Sequence, residues 1–357
     1  MAFSEIKNIK IKAIAACVPE GIVDNSEFFD KTDFDKFVKN VGVTQRHVVD
    51  NNQCTSDLCY KSAIKIFNDL VIDRSDIEIL IFVSHTADYK LPSTACILQD
   101  KLGLSTSTIA FDVTLGCSGF PYGLQIISSL MLSTGIRKGL LLVGNTQSKY
   151  TTSTDMSVFP LFADAGSAIL LEYDQNALPM YFNLGTDGSS FADIIVPDGG
   201  ARNPVTLSSF DLEEDDNGNR RSRLHERLNG MNVYSFGIST APRSIKNLIE
   251  KYNIDFNNID YFLIHQANKM MIEKIAKKLG VSLSKVPVNI QKFGNTSGAT
   301  IPLLVVTEID KTRLLNKQFI ACGFGVGLSW GSVYFSLDKE CLICDLQVLL
   351  KTENYVS

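Results

Sequence analysis

The sequence has no excess of positive charge, no long apolar run and no dense cysteine framework. Against 34 Lys and Arg stand 39 Asp and Glu, a net charge of −5. That argues against a nucleic-acid partner, which demands a basic face, although a local patch can still oppose the net sign and meet an acidic protein. No stretch of about 18 apolar residues occurs, so no membrane span is expected. The opening MAFSEIKNIKIKAIAACVPE scatters lysines where a secretory signal would keep an unbroken apolar stretch. The eight cysteines are dispersed through a chain too large to need staples, which predicts a cytoplasmic setting and mostly buried thiols. Cys341 and Cys344 form a CxxC, but no second ligand pair follows, so no metal is expected there. There is a single tryptophan, Trp330.

What is present is enough apolar material for a large core: 45% of 357 residues are hydrophobic. Two stretches repeat one supersecondary pattern. IEILIFVSHTADY from Ile77 matches IDYFLIHQANK from Ile259, an apolar strand entering a polar turn. IAFDVTLGCSGFPYGLQIISSLML, read as strand, glycine elbow and helix, matches VPVNIQKFGNTSGATIPLLVVTEI. GLLLVGNTQ matches QFIACGFGVG, and AGSAILLEY matches LSWGSVYFSL. Each half therefore reads βαβαββ, and strands alternating with helices imply sheets covered on both faces. Two such halves back to back predict a five-layer αβαβα arrangement. Residues 1–180 form the N-terminal half, 181–337 the C-terminal half and 338–357 an appendage. Residues 21–75 read as a helical excursion in which Leu58, Ala63, Ile66 and Phe67 recur at helical spacing. Residues 188–230 read as a polar excursion, and its charge run DLEEDDNGNRRSR as a solvated loop.

Chemistry should gather at the carboxyl ends of the strands, and Cys117, His265 and Asn295 each read as lying just beyond one. Cys117, in TLGCSGF, precedes a helix whose N-terminus favours thiolate. His265, in FLIHQANK, could exchange a proton at a thioester. Asn295, in FGNTSGATIP, could donate to an oxygen gaining charge. Alone, each has an ordinary explanation: a structural thiol, a satisfied core histidine, a helix N-cap.

Together these segments resemble the β-ketoacyl-acyl-carrier-protein synthase III enzymes of the thiolase superfamily. The markers are LPSTACILQDKLG, FDVTLGCSGF, FADAGSAILL, LIHQAN, FGNTSGATIP and GFGVGLSWGS, and the resemblance runs from about Ile9 to Leu337. It implies a thiolase fold and a Cys–His–Asn triad falling on Cys117, His265 and Asn295. It implies acylation of Cys117 by an acyl-CoA or acyl-carrier primer, with an oxyanion site made by the Cys117 amide and the loop carrying Gly325 and Val326. Malonyl-acyl-carrier protein would then lose carbon dioxide, its enolate held by His265 and Asn295, and attack the acyl group. No permanent cofactor is implied, because substrates arrive as thioesters of CoA or phosphopantetheine. An acyl carrier protein, a homodimer and a place in fatty-acid biosynthesis are implied too.

The chain departs from the family pattern in places. The tryptophan and arginine that commonly grip the adenine of CoA are missing from DKFVKNVGVTQRHVV, where Lys36 and Asn40 take the gripping positions, Thr44 replaces one arginine and Arg46 keeps the other. Leu91 replaces a phenylalanine that reaches across the dimer to limit chain length. The helix after His265 carries Lys269, Lys274, Lys277 and Lys278, a face suited to an acidic carrier, with Met270 at the family's usual arginine. A second active cysteine, as in true thiolases, would fall on Cys322, but that residue sits within the apolar strand FIACG. The rival reading is a thiolase-fold acyltransferase that delivers the Cys117 acyl group to a hydroxyl or amine. A non-enzymatic scaffold fits poorly with a complete triad.

Overall fold

A computed structural model describes residues 2–313 and 316–356. Its core is two sheets. The first has seven strands: Leu342–Ile343, Ile9–Pro19, Asp164–Tyr173, Lys138–Thr146, Ile79–Val83 and Ile109–Val113 in that order, with Gln347–Leu349 also on Ile9–Pro19. The second has five, ordered Ala2–Ile6, Met180–Thr186, Ser329–Leu337, Lys317–Gly325 and Tyr261–Ile264. The pairing senses repeat. Ile79–Val83 is parallel to Lys138–Thr146, which is antiparallel to Asp164–Tyr173. Likewise Tyr261–Ile264 is parallel to Lys317–Gly325, which is antiparallel to Ser329–Leu337. Strands of the first sheet such as ILIFV are buried at every position, as a sheet covered on both faces requires.

The duplication is incomplete in one place. The expected second copy of IAFDV, at residues 286–289, is not a strand. Pro287 has no N–H for a ladder, and the Asn289 amide is taken by the side chain of Gln266. In consequence Asn295 follows no strand; it follows a short helix.

The helices in chain order are α1 (Lys31–Asn40), α2 (Thr55–Leu70), α3 (Thr94–Lys101), α4 (Gly119–Thr134), α5 (Gly230–Tyr252), α6 (Lys269–Leu279), α7 (Ile290–Phe293) and α8 (Thr300–Glu308). Helices α4 and α8 lie between the sheets and touch both. Helix α8 is buried from Thr300 through Val306, which suits an apolar sequence without a polar face. In α4, Phe120, Leu124, Ile127 and Met131 repeat at helical spacing and are fully buried, each such burial contributing about 1.5–3 kcal/mol. Helices α2 and α3 cover the outer face of the first sheet, and α5 and α6 that of the second. Five layers result, as the repeats predict. Leu58, Ala63, Ile66 and Phe67 of α2 are buried, so this part of the excursion belongs to the layered core.

Within residues 188–230 most of the charge run is exposed, as expected, but the segment around it is folded. The segment carries short paired strands and is pinned by Arg221 on Asp155 at 2.8 Å and Arg223 on Asp198 at 2.9 Å. Ser209, Asn219, Ser222 and Glu226 are buried within it. Residues beyond Leu337 add strands beside Ile9–Pro19, and Asp57 Oδ1 accepts the amides of Tyr355 and Val356 at 2.8 and 3.1 Å. No helix among the described residues is long and apolar enough to cross a membrane.

Candidate active site

Cys117 sits in the elbow between Ile109–Val113 and α4, closed by a 2.7 Å bond from the Gly119 amide to the Gly116 carbonyl. The elbow is tightly enclosed. A Cβ on Gly323 would stand 2.4 Å from the Cys117 carbonyl oxygen, and one on Gly325 would stand 2.9 Å from Cys117 Sγ. Glycine at both positions is what lets the second sheet's strand end approach Cys117.

Ser297 joins the three residues singled out by sequence. Its hydroxyl lies 3.7 Å from Cys117 Sγ. Its amide donates to Asn295 Oδ1 at 2.9 Å. Its carbonyl accepts from Thr300 Oγ1 at 2.9 Å, and Thr300 Oγ1 lies 2.8 Å from His265 Nδ1. Ser297 holds a left-handed backbone, φ 51°, a conformation that a serine keeps only when its surroundings fix it. Asn295 is fixed in turn by backbone bonds to Leu161 and Ala163, within the FADAGS segment. With its Oδ1 occupied, Asn295 offers its Nδ2 hydrogens. Thr300 has one hydroxyl proton: while it is given to the Ser297 carbonyl, His265 Nδ1–H is the donor to Thr300 Oγ1 and Nε2 is an acceptor; when it turns to His265 Nδ1, the neutral ring presents Nε2–H as a donor.

Burial dominates the electrostatics. His265 is 1% exposed, and desolvation lowers its pKa to about 3, so the ring is neutral at physiological pH. Cys117 differs from the sequence expectation of a favoured thiolate. Burial pushes its thiol up to about 11, assisted by the charge of Glu226 and opposed by the Ser297 hydroxyl and the amides of Cys117 and Val326. With that burial the resting group is a thiol at neutral pH.

The other candidates separate. Arg46 is fully buried. Its guanidinium donates to Asn25 Oδ1 at 2.9 Å and the Phe162 carbonyl at 3.1 Å and stacks on Phe159 at 4.4 Å. It braces the segment before Asn295 from an interior position. Leu91 is 86% exposed and points away from its own core. Lys269 is half-buried and 4.0 Å from Glu273, while Lys274 is exposed on the outer face of α6. Lys36 is exposed and held by Asp33 at 2.9 Å. Cys322 is fully buried within its strand, and burial raises its thiol to about 12, which does not suit a second nucleophile. Cys341 and Cys344 are buried free thiols. Among the described residues no group of three or more His, Cys, Asp and Glu could hold a metal.

Sequence reasoning missed three side chains beside the elbow: His85, Gln147 and Glu226. His85 Nε2 bonds Gln147 Oε1, and Gln147 Nε2 donates to Glu226 Oε2. Glu226 is 3% exposed, and burial raises its pKa to about 8. The three come from distant segments, none with a local motif, so nothing in the sequence signals their meeting.

Comparison with known proteins places this geometry in one family. The profile for 3-oxoacyl-[acyl-carrier-protein] synthase III matches residues 111–188, and that for its C-terminal region matches residues 249–337. The chain is 32% identical to the β-ketoacyl-[acyl-carrier-protein] synthase III of Natranaerobius thermophilus, covering 92% of this chain and 98% of that one. It is 30% identical to the enzyme of the same name from Rhodopirellula baltica, over 92% and 99% of the two chains. The crystal structure of a 3-oxoacyl-(acyl-carrier protein) synthase from Burkholderia xenovorans LB400 superposes with a TM-score of 0.91 at 35% identity, covering 98% of this chain and 99% of that one. With its layered thiolase fold and these relatives, the chain belongs to the 3-oxoacyl-[acyl-carrier-protein] synthase III family of acyltransferases.

Proposed function

We propose that this chain condenses an acyl thioester with malonyl-acyl-carrier protein, with Cys117 carrying the acyl group and His265 and Asn295 holding the malonyl enolate. The observation that carries the assignment of roles is the convergence on Ser297 of Cys117 Sγ, the Asn295 amide and, through Thr300, the His265 ring. In the first half-reaction Cys117 Sγ attacks the primer carbonyl, and the tetrahedral oxyanion is held by the Cys117 amide and the loop amides at Gly325 and Val326. In the second, neutral His265 and Asn295 donate to the malonyl thioester carbonyl. Loss of carbon dioxide leaves an enolate whose carbon attacks the Cys117 acyl group, releasing β-ketoacyl carrier and the free thiol of Cys117. Neutral donors suit this step, because a fixed carboxylate there would repel malonate.

Family membership favours condensation over transfer to a hydroxyl or amine. The assay that separates them is malonyl-dependent release of carbon dioxide from the acylated protein. Stoichiometric release with formation of β-ketoacyl carrier is expected; loading without release would sink the condensing reading.

The exposed lysines of α6 support docking of an acidic carrier, and a cytoplasmic homodimer fits the same reading. Tyr89 and Leu91 are 57% and 86% exposed, a pair of large apolar side chains on one loop that a second protomer would cover.

A further inference from the structure

The family reaction needs a proton removed from the nucleophile and returned to the departing thiol. His265 Nδ1 is already bonded to Thr300 Oγ1. A second histidine stands beside the elbow. The point where a Cβ of Gly116 would lie is 2.4 Å from His85 Nδ1, 2.3 Å from His85 Cε1 and 3.0 Å from Ser297 Oγ. The missing side chain of Gly116 is therefore the space into which His85 and Ser297 both project. Ser297 Oγ is also the group 3.7 Å from Cys117 Sγ.

The tautomer of His85 follows from its partners. Gln147 gives its Nε2 hydrogen to Glu226, so its Oε1 faces His85 Nε2 and requires a hydrogen there. The neutral ring then carries its lone pair on Nδ1. That Nδ1 is buried without a hydrogen-bond partner. A buried acceptor left unmatched costs about 1–3 kcal/mol, which is tolerated where the group acts on something absent from the resting state.

We propose that His85 is a further catalytic residue, the acid–base group of the loading step, and that Gln147 and Glu226 position it. The inference rests on the condensing reading above and deepens its first half-reaction. As Cys117 Sγ forms its bond to the primer carbonyl, the thiol proton passes to Ser297 Oγ while the Ser297 hydroxyl, not bonded to His85 in the resting site, turns to His85 Nδ1 and gives it its proton. As the carbonyl–sulfur bond to the primer's carrier breaks, His85 Nδ1 returns a proton to the departing thiolate. The products are acyl-Cys117, a free carrier thiol, and His85 and Ser297 in their starting states. The high pKa of the Cys117 thiol gives such a base its purpose, and burial lowers that of His85, so the ring is neutral and able to accept.

The test measures two steps on the full-length protein. Loading is followed by rapid-quench intact mass with the thioester S-acetyl-N-acetylcysteamine, which needs no carrier docking. Decarboxylation is followed as carbon dioxide released from malonyl-acyl-carrier protein. Wild type must do both; failure of either contradicts the condensing reading and this inference with it. Given a competent wild type, His85→Ala and His85→Gln should slow loading about 100-fold relative to decarboxylation, and added imidazole should restore loading to His85→Ala alone. Gln147→Leu, which frees the tautomer, should slow loading about tenfold. Loading at the wild-type rate in both His85 variants, an equal fall of both steps, or absence of imidazole rescue in a folded His85→Ala would overturn the role assigned to His85.

Discussion

At the scale of single residues the site is governed by desolvation. Cys117, His265 and Asn295 were legible as candidates because each sits in a short motif with its own glycines or small residues. Their partners were not. Ser297 and Thr300 lie in the same FGNTSGATIP segment, yet their roles depend on a left-handed turn that spacing does not reveal. Arg46 was read as a ligand-facing cation because arginines seldom lie inside; Asn25, Phe159 and the Phe162 carbonyl give this one an interior environment. Two predictions belong here. Thr300→Val removes the hydroxyl that sets the His265 ring and should lower malonyl decarboxylation about tenfold, measured as carbon dioxide release. Glu226 has a folded-state pKa raised to about 8 by burial, above its ordinary 4.5. It is therefore protonated when folded and ionised when unfolded between those values, so its contribution to stability is full at low pH and is lost as pH rises through about 8. Glu226→Gln should raise the melting temperature by several degrees at about pH 9 and by much less at about pH 5, in paired thermal melts.

At the scale of elements, periodicity worked where burial is one-sided and regular. The apolar repeats of α2 and α4 and the continuous runs of the first sheet were visible in sequence, as was the glycine elbow. Pattern matching failed at residues 286–289, where the duplication suggested a strand and Pro287 prevents one, and at residues 188–230, where polar composition concealed a folded segment that carries Glu226 inward. Polar residues buried through mutual pairing look, in one dimension, like solvated ones. The elbow gives a further prediction. In Gly116→Ala the added methyl would meet His85 Cε1 at 2.3 Å, so ring or backbone must shift. Such overpacking costs about 1–3 kcal/mol, and Cys117 loading should fall along with the melting temperature. A variant that melts lower yet loads normally would show that the His85–Gly116 contact has no part in catalysis.

At the scale of the molecule, the duplication explains where the candidate site lies: strand ends of both sheets meet there, one bringing Cys117 and the other His265 and the glycine loop. The halves also share chain. Ala2–Ile6 extends the second sheet, and the segment after Leu337 extends the first, a closure for which the repeats held no signal because it lies outside them. Gln53 Nε2 donates to the carbonyls of Leu350 and Glu353 at 2.7 and 2.9 Å, and Ile343, Cys344, Leu349 and Val356 are buried. Removing residues 341–357 should lower the melting temperature by about 10 °C, read by calorimetry, because several buried apolar side chains are lost together. Sedimentation of the intact chain should give a homodimer; a monomer at assay concentration would remove the basis for assigning Leu91 to a partner's pocket.

Condensation through Cys117 is tested most directly by the fate of its acyl group. Intact-protein mass spectrometry should be run after a panel of acyl-CoA and acyl-carrier thioesters is offered, and again after malonyl-acyl-carrier protein is added. The prediction is one acyl mass on Cys117, absent in Cys117→Ala, that disappears only with malonyl carrier as β-ketoacyl carrier and carbon dioxide form. An acyl group that persists on Cys117 in the presence of malonyl carrier, or one that loads equally onto Cys117→Ala, would contradict it.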